Sequence, residues 1–252
     1  MPNALIIGSD KEPIFDHLPD RFLFIDDGTL IDRVELPPRR AVINFDPLKH
    51  SFNPLKGMSY QKARQFWDVL KSAFPEGENT LTKAAAELQI LRALTDHPRS
   101  LSTLIPDTKD TQYAHQLIAK LLLSPVLERV LCRPTNLSFK GTILARLDRA
   151  TLGDFDAFVI ANLLISQYPG PVVLPDFGFY QCRFHSALLR QNRLIAGVNS
   201  FDEVPAWKQR LLLVDTKIPS HCTPDDAKLL AIYAGIPPGT NKYNTFIEES
   251  IT

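Results

Sequence analysis

Polar side chains follow two short apolar segments in the second half of the chain. Asp176 comes at the end of "VVLPD", and Asn199 comes at the end of "RLIAGVN". Apolar runs of this length predict buried strands of a parallel sheet, and functional groups collect at the carboxyl ends of such strands. A carboxylate there can hold Mg²⁺ through water, and an amide can orient a water molecule or contact a phosphate. Asp176 and Asn199 are therefore candidate catalytic residues.

Phosphate chemistry at this edge requires a loop of the pattern G-x-x-x-x-G-K-[ST], whose backbone N–H groups bind the phosphates. No glycine of the sequence is followed by lysine. The nearest counterpart is "ALIIGSDKEPIF" (4–15), in which Gly8 and Lys11 follow a predicted strand, so these two are candidate nucleotide-binding residues. Asp10 brings a negative charge to the place where phosphate oxygens bind. The sequence thus predicts the aspartate of a nucleotide site without its complete phosphate loop.

The elements that position these residues are strands alternating with helices. Strands are predicted over 4–8, 21–26 and 41–45, and later in "GTILARLDR", "PVVLPD", "RLIAGVN" and "RLLLVD", the last of which ends on Asp215. The helices between them include "YQCRFHSALLRQ" and "TPDDAKLLAIYAG", which Thr223 caps and Gly235 stops. This alternation indicates an α/β fold with a parallel sheet that is covered on both faces.

The segment 59–132 has a helical pattern instead. Ser59 is a predicted cap, and it is followed by apolar residues at helical spacing, namely Ala63, Phe66, Trp67 and Leu70. "TLTKAAAELQILRAL" (80–94) has high helix propensity, and two further helical runs extend to 132. No strand signal interrupts these runs, so we predict an all-helical subdomain.

Composition limits the class of protein. Among 252 residues, 28 Lys and Arg balance 28 Asp and Glu, so the net charge of the chain does not indicate a nucleic-acid partner. Three scattered cysteines and the absence of a leader pattern predict a reducing, cytoplasmic setting. The longest apolar stretches are well below the ~20 residues that cross a bilayer, so no membrane span is predicted.

Two other groups of residues have a chemical and a structural interpretation. Cys182 and His185, with His221 and Cys222, have zinc-binding side chains, but their spacing matches no finger or ribbon. We favour buried cysteines and surface histidine there, and predict no metal site.

Arginines form the second group. Arg146 and Arg149 flank Asp148. Arg190 lies in the last turn of the predicted helix after Asp176, and Arg193 follows that helix. One interpretation is local salt bridges on a solvated face. The other is contact with a phosphate, a nucleic acid or a neighbouring subunit, with Arg190 and Arg193 joining Lys208 and Arg210 in a basic lip near Asp176.

Several strings resemble the FtsK/HerA-type P-loop ATPases, which pump DNA, and within them the conjugative coupling proteins and DNA-packaging ATPases. "FDPLKHSFNPL" (45–55) resembles the segment that leads into the helical domain of coupling proteins, and "VVLPDFGF" resembles the second nucleotide motif. "RLIAGVNSFDEVP" resembles the sensor strand, and the run from "LLLVD" to "YAGI" resembles the final strand and helix. The likeness covers roughly 41–236.

This resemblance implies a RecA-like parallel sheet flanked by helices, made of 1–58 and 133–252, with the helical subdomain 59–132 inserted. It implies Mg²⁺ and ATP as cofactors, and DNA, a paralogous ATPase or a homo-oligomeric ring as partners. The sequence departs from the family at three positions. The lysine of the phosphate loop is missing, Phe177 stands at the place of the catalytic glutamate, and Asn199 replaces the sensor glutamine.

Two functions are open at this point. The first is a degenerate ATPase-fold protein of the DNA-transfer or packaging machinery of a virus or mobile element, with weak or no ATP hydrolysis. The second is a non-enzymatic interaction module that partners an active paralogous ATPase and needs no cofactor.

Overall fold

The computed structural model describes residues 3–36, 41–74, 80–96, 100–106, 108–109 and 111–252. The chain divides into two compact units. Unit 1 comprises Met1–Arg40, Gly170–Gln181 and His185–Thr252, and unit 2 comprises Ala41–Pro169 and Cys182–Phe184.

The described residues contain seven strands and eleven α-helices. The strands are β1 (Ala4–Ile7), β2 (Leu23–Asp26), β3 (Val42–Phe45), β4 (Thr142–Arg146), β5 (Val172–Leu174), β6 (Leu194–Val198) and β7 (Thr216–Pro219). The helices are α1 (Tyr60–Ala73), α2 (Thr80–Thr95), α3 (Gln112–Leu122), α4 (Pro125–Cys132), α5 (Arg149–Leu152), α6 (Asp154–Gln167), α7 (Phe177–Tyr180), α8 (His185–Arg190), α9 (Lys208–Leu212), α10 (Pro224–Tyr233) and α11 (Asn241–Ile251). Short 3-10 turns occur at Glu12–His17, Ile31–Arg33, Leu101–Thr103 and Phe201–Glu203.

Unit 1 is built on a parallel sheet with the strand order β2-β5-β6-β1-β7. Every residue of β1, β2, β5 and β6 is buried, which explains why these strands are apolar along their whole length rather than on alternate positions. Because all five strands are parallel, the segments that follow them emerge at one edge, the carboxyl edge. The chain leaves β1 through a six-residue 3-10 turn, Glu12–His17, in which Pro13 stands at the start.

Unit 2 contains the parallel pair β3 and β4 and helices α1 to α6. Within 59–132, the described residues form helices and one 3-10 turn and no strand. The predicted core positions of α1, namely Ala63, Phe66, Trp67 and Leu70, are buried, and α1 packs against α6. Whether 59–132 is a subdomain of its own stays a prediction.

Two predicted elements differ from the structure. "RLLLVD" was expected as a strand, but Leu211 and Leu212 belong to α9, where they are buried while Leu213 is 78% exposed. The strand is the following segment, β7, so Asp215 precedes it and lies at the amino edge of the sheet. "YQCRFHSALLRQ" was expected as one helix, but α7 ends at Tyr180 and α8 begins at His185.

The predicted cap of α1 is confirmed, since the Ser59 hydroxyl accepts a hydrogen bond from the Lys62 N–H at 3.3 Å. We expect Ser59→Ala to lower the free energy of unfolding by about 1 kcal/mol, because the N–H loses its partner at the helix start. Urea unfolding measures the change. Ser59→Asp restores an acceptor and should restore stability; equal losses in both variants would contradict this role of the cap.

Candidate functional site

Four of the predicted site residues lie at the carboxyl edge of the unit 1 sheet. Gly8 follows β1, Asn199 follows β6, and Asp176 comes two residues after β5. Because β5, β6 and β1 are neighbours in the sheet, these residues share one edge, and Lys11 joins them through the loop after β1. The structure therefore brings together the candidate nucleotide-binding and catalytic residues.

The loop after β1 is held by the backbone. Gly8 has φ +120°, a left-handed conformation, and a Cβ there would overlap the Ser220 carbonyl oxygen. The Gly8 N–H donates to the Val198 oxygen at 2.9 Å, and the Ser9 N–H donates to the His221 oxygen at 3.3 Å. These two N–H groups are thus already bonded within the protein.

Lys11 is buried, with only 9% of its surface exposed. Its ammonium group donates to the Gly8 carbonyl oxygen, and its stem crosses β6 at Gly197, where a Cβ would lie 3.0 Å from Lys11 Cδ. Burial lowers the pKa of Lys11 to about 8, although the charges of Glu203 and Asp176 act in the opposite direction.

The Asp10 carboxylate accepts hydrogen bonds from the backbone of its own loop and from Ser220. Its Oδ1 accepts from the Glu12 N–H at 2.9 Å, at the start of the 3-10 turn, and its Oδ2 accepts from the Ser220 hydroxyl at 3.1 Å. A side-chain carboxylate thus receives a backbone N–H that an external anion would otherwise receive.

The two catalytic candidates are both engaged locally. Asp176 Oδ1 accepts from the Phe179 N–H at 3.2 Å and caps α7. The Asn199 side-chain amide donates to Glu203 Oε1 at 2.8 Å, and the Asn199 N–H lies 3.2 Å from Glu203 Oε2. A Cβ on Gly178 would lie 3.1 Å from Glu203 Oε2 and 3.8 Å from Asp176 Oδ1, so the two carboxylates flank this glycine.

Glu203 is a site residue that the sequence reasoning missed. The signal was present, because "SFDE" (200–203) has the S-x-x-E spacing of a capping box, in which the glutamate reaches back to the start of the turn. Here it reaches the Asn199 N–H and so comes near Lys11. The second carboxylate at this edge thus belongs to the segment that follows β6, whereas the resemblance predicts it at position 177, directly after Asp176.

These residues do not fit a magnesium–triphosphate ligand. The N–H groups of Gly8, Ser9 and Glu12 have acceptors within the protein, and the Lys11 ammonium is bonded to the loop that would surround the phosphates. Asp10 adds a charge of the same sign as the ligand's. Within the part of the chain that the structure describes, no group of three or more His, Cys, Asp or Glu residues is placed to hold a metal ion.

The predicted arginines do not join this edge as one group. Arg193 precedes β6, and its guanidinium donates to the Gly170 oxygen at 2.7 and 3.1 Å, which places it at the amino edge of the unit 1 sheet. Arg190 ends α8 and lines a cavity of about 390 Å³ with Asn3 and Asp215, which both precede strands. In unit 2, Arg146 ends β4 and is exposed, and Arg149 begins α5.

The four Cys and His residues have separate surroundings. In unit 2, the Cys182 sulfur lies 3.5 Å from the Ser72 hydroxyl, and burial raises the pKa of the thiol to about 11. In unit 1, His185 is fully buried against Phe177 and Trp207, and burial lowers its pKa to about 3. The Cys222 thiol donates to the Ile7 oxygen at 3.0 Å, and His221 is exposed.

No protein-family model matches this sequence, and no curated protein matches it. Several solved structures are similar to it, among them VirB4 and a conjugative coupling protein. VirB4 of Thermoanaerobacter pseudethanolicus matches with a TM-score of 0.59 and 12% identity, over 93% of this chain and 81% of VirB4. The bacterial conjugative coupling protein TrwBΔN70 matches with a TM-score of 0.55 and 12% identity, over 91% of this chain and 71% of TrwBΔN70.

These likenesses confirm the predicted RecA-like α/β fold. At 12% identity they establish fold alone, and the assignment to the FtsK/HerA-type group stays a prediction. None of the helices in the described ranges is long and apolar enough to cross a membrane.

The lowered pKa of Lys11 predicts an unusual dependence of stability on pH. Between pH 8 and 10.5 the unfolded chain binds more protons at this lysine than the folded chain, so stability rises with pH there. We expect the wild type to gain about 2 kcal/mol relative to Lys11→Met between pH 7.5 and 9.5 in urea unfolding. Lys120→Met, at an exposed lysine, is the control. Parallel pH profiles for the wild type and Lys11→Met would disprove the burial of a charged amine.

Proposed function

We propose that this chain is a RecA-like protein of a DNA-transfer machine, of a virus or mobile element, whose nucleotide site is closed by its own side chains. It binds ATP weakly or not at all and does not turn it over. The observation that carries this proposal is the pairing of the buried Lys11 ammonium with the Gly8 oxygen while Asp10 accepts the Glu12 N–H.

The Gly8, Ser9 and Glu12 N–H groups and the Lys11 ammonium of this loop all have hydrogen-bond acceptors within the chain. Opening the site for a triphosphate would break the bonds of Lys11 and Asp10 and place ligand charge beside Asp10, Asp176 and Glu203. The similarity to VirB4 and to a conjugative coupling protein supports the connection with DNA transfer, and the internal bonds support the loss of turnover. DNA and ring-forming partners belong to the same proposal.

A second candidate is an interaction module that partners an active paralogous ATPase. It is favoured by the apolar side chains that α10 exposes, since Ile232 is 57% and Tyr233 is 44% exposed. Gel filtration with an intact P-loop ATPase of the same genetic element tests it. If the wild type forms a complex with that ATPase and Ile232→Asp does not, the interaction module is supported. If the wild type forms no complex, the first candidate function remains.

A thermal-shift titration with ATP, ADP and a non-hydrolysable analogue, each with and without Mg²⁺, tests the closed site. Because the loop groups are engaged, any binding of ATP should have a Kd well above 5 mM, so we expect no measurable shift at 5 mM nucleotide. A Kd of about 50 µM would give a stabilisation of about 2.7 kcal/mol at that concentration. A magnesium-dependent shift would contradict the proposal.

Asp176→Ala shows whether any such shift comes from this edge. If the wild type does shift, loss of the shift in Asp176→Ala but not in Asp202→Ala, at an exposed aspartate nearby, would establish a working nucleotide site. In the closed site that we propose, the ATP titrations of wild type and both variants are all flat.

A further inference from the structure

Unit 2 carries a polar groove made of two adjoining cavities of about 580 and 600 Å³. The cavities share the lining residues Asn53, Lys56 and Thr135, so they lie side by side along the loops before α1 and before β4. We call it the basic groove, because its lining includes the four cations Lys56, Lys62, Arg133 and Lys140 and no carboxylate. In a chain with formal net charge zero, this is a local excess of positive charge.

Hydrogen bonds between the two loops fix the floor of the basic groove. The Ser51 N–H donates to Asn136 Oδ1 at 2.7 Å, and the Asn53 N–H donates to the Thr135 hydroxyl at 2.8 Å. Phe52, fully buried, donates its N–H to the Val130 oxygen at 2.9 Å. The two walls therefore come from chain segments some 80 residues apart, held in one arrangement before any ligand arrives.

Lys62 is a positioned cation within the basic groove. Its ammonium donates to Gln167 Oε1 at 3.1 Å, and the Gln167 amide in turn donates to the Pro54 oxygen at 2.8 Å. This partner is neutral, so the bond orients the charge without neutralising it. Lys62 is half-buried, and this partial withdrawal of its ammonium from solvent lowers its pKa. An anion in the groove would supply the missing opposite charge.

An aromatic ring also lines the basic groove. Phe139 is half-buried and packs edge-on against Phe52, with ring centroids 6.0 Å apart. Two neighbouring cavities that both have cations in their lining suit a chain of phosphates better than one compact anion. An aromatic ring in the same lining offers a surface on which an unpaired base stacks.

We propose that the basic groove binds single-stranded nucleic acid through its phosphodiester backbone. This goes beyond the proposed function, because it assigns a site in unit 2 whose residues take no part in the nucleotide-like site of unit 1. Nucleotide binding by unit 1 would overturn the proposed function and leave this inference standing.

The test is fluorescence anisotropy of a labelled twelve-residue oligothymidylate with the full chain. The groove variant Lys56→Gln/Arg133→Gln removes two exposed cations from the lining, and the control Lys120→Gln/Lys242→Gln removes two exposed cations elsewhere. For single strands, each phosphate contact adds about 0.7 to the steepness with which log K falls as log salt concentration rises, so the loss of two contacts should lower that steepness by about 1.4. Between 50 and 200 mM salt, the affinity of the wild type should therefore fall about sevenfold more than that of the groove variant. The control should match the wild type, and a labelled oligouridylate distinguishes RNA from DNA.

Three outcomes would overturn the inference. One is no binding by the wild type up to about 100 µM protein at 50 mM salt, given that non-specific contact is usually tighter. Another is an equal loss in the groove variant and the control, which would assign the effect to overall charge. The third is displacement of the oligonucleotide by polyglutamate as readily as by unlabelled oligonucleotide, which would identify an acidic polypeptide as the occupant. Thermal unfolding confirms that both variants are folded.

Discussion

The ammonium group of Lys11 is buried at the edge of a parallel sheet, and much of the surrounding structure follows from that placement. Withdrawing a charge from water is costly unless polar partners replace the solvent. The Gly8 oxygen supplies a direct bond, and the carboxylates of Asp176 and Glu203 supply opposite charge nearby. The stem of the lysine passes β6 at Gly197, where a Cβ would lie 3.0 Å from Lys11 Cδ and 2.4 Å from the Pro175 carbonyl oxygen. One desolvated cation is thus in contact with the loop after β1 and with β6, and it lies near both carboxylates.

A phosphate loop presents N–H groups without acceptors and a positive charge to an anionic ligand. In this chain a carboxylate of the polypeptide is the acceptor at the start of the turn, since Asp10 accepts the Glu12 N–H. The fold that VirB4 and TrwBΔN70 share with this chain does not prevent such a change, because a fold persists through packing while activity depends on a few groups at its rim. Hydrogen bonds within the protein to those groups oppose ligand binding, because a ligand would have to replace them.

The sequence predicts the features that depend on local chemistry. The apolar strands around Asp176 and Asn199 and the caps at Ser59 and Thr223 are formed as their patterns indicate. The apolar run 211–214 was misassigned, because three consecutive leucines have the same hydrophobicity in a strand and in a short helix. The hydrogen bond from Ser220 to Asp10 and the pairing of the loops at Ser51 and Asn136 connect residues far apart in the chain. No local pattern reveals contacts of that kind.

Gly8 shows that a glycine which resembles part of a motif can have a purely structural role. Its backbone is left-handed, and the Ser220 carbonyl fills the space that any side chain would need. Packing alone therefore restricts this position to glycine, whether or not phosphate ever approaches it. Among homologues of this chain, an invariant glycine after the first strand would report the closeness of two backbones rather than a surviving enzyme. The informative positions in such an alignment would be 10 and 203. Loss of the carboxylate at these positions would indicate a site that is open to an anion, and a carboxylate that is kept would indicate a closed one.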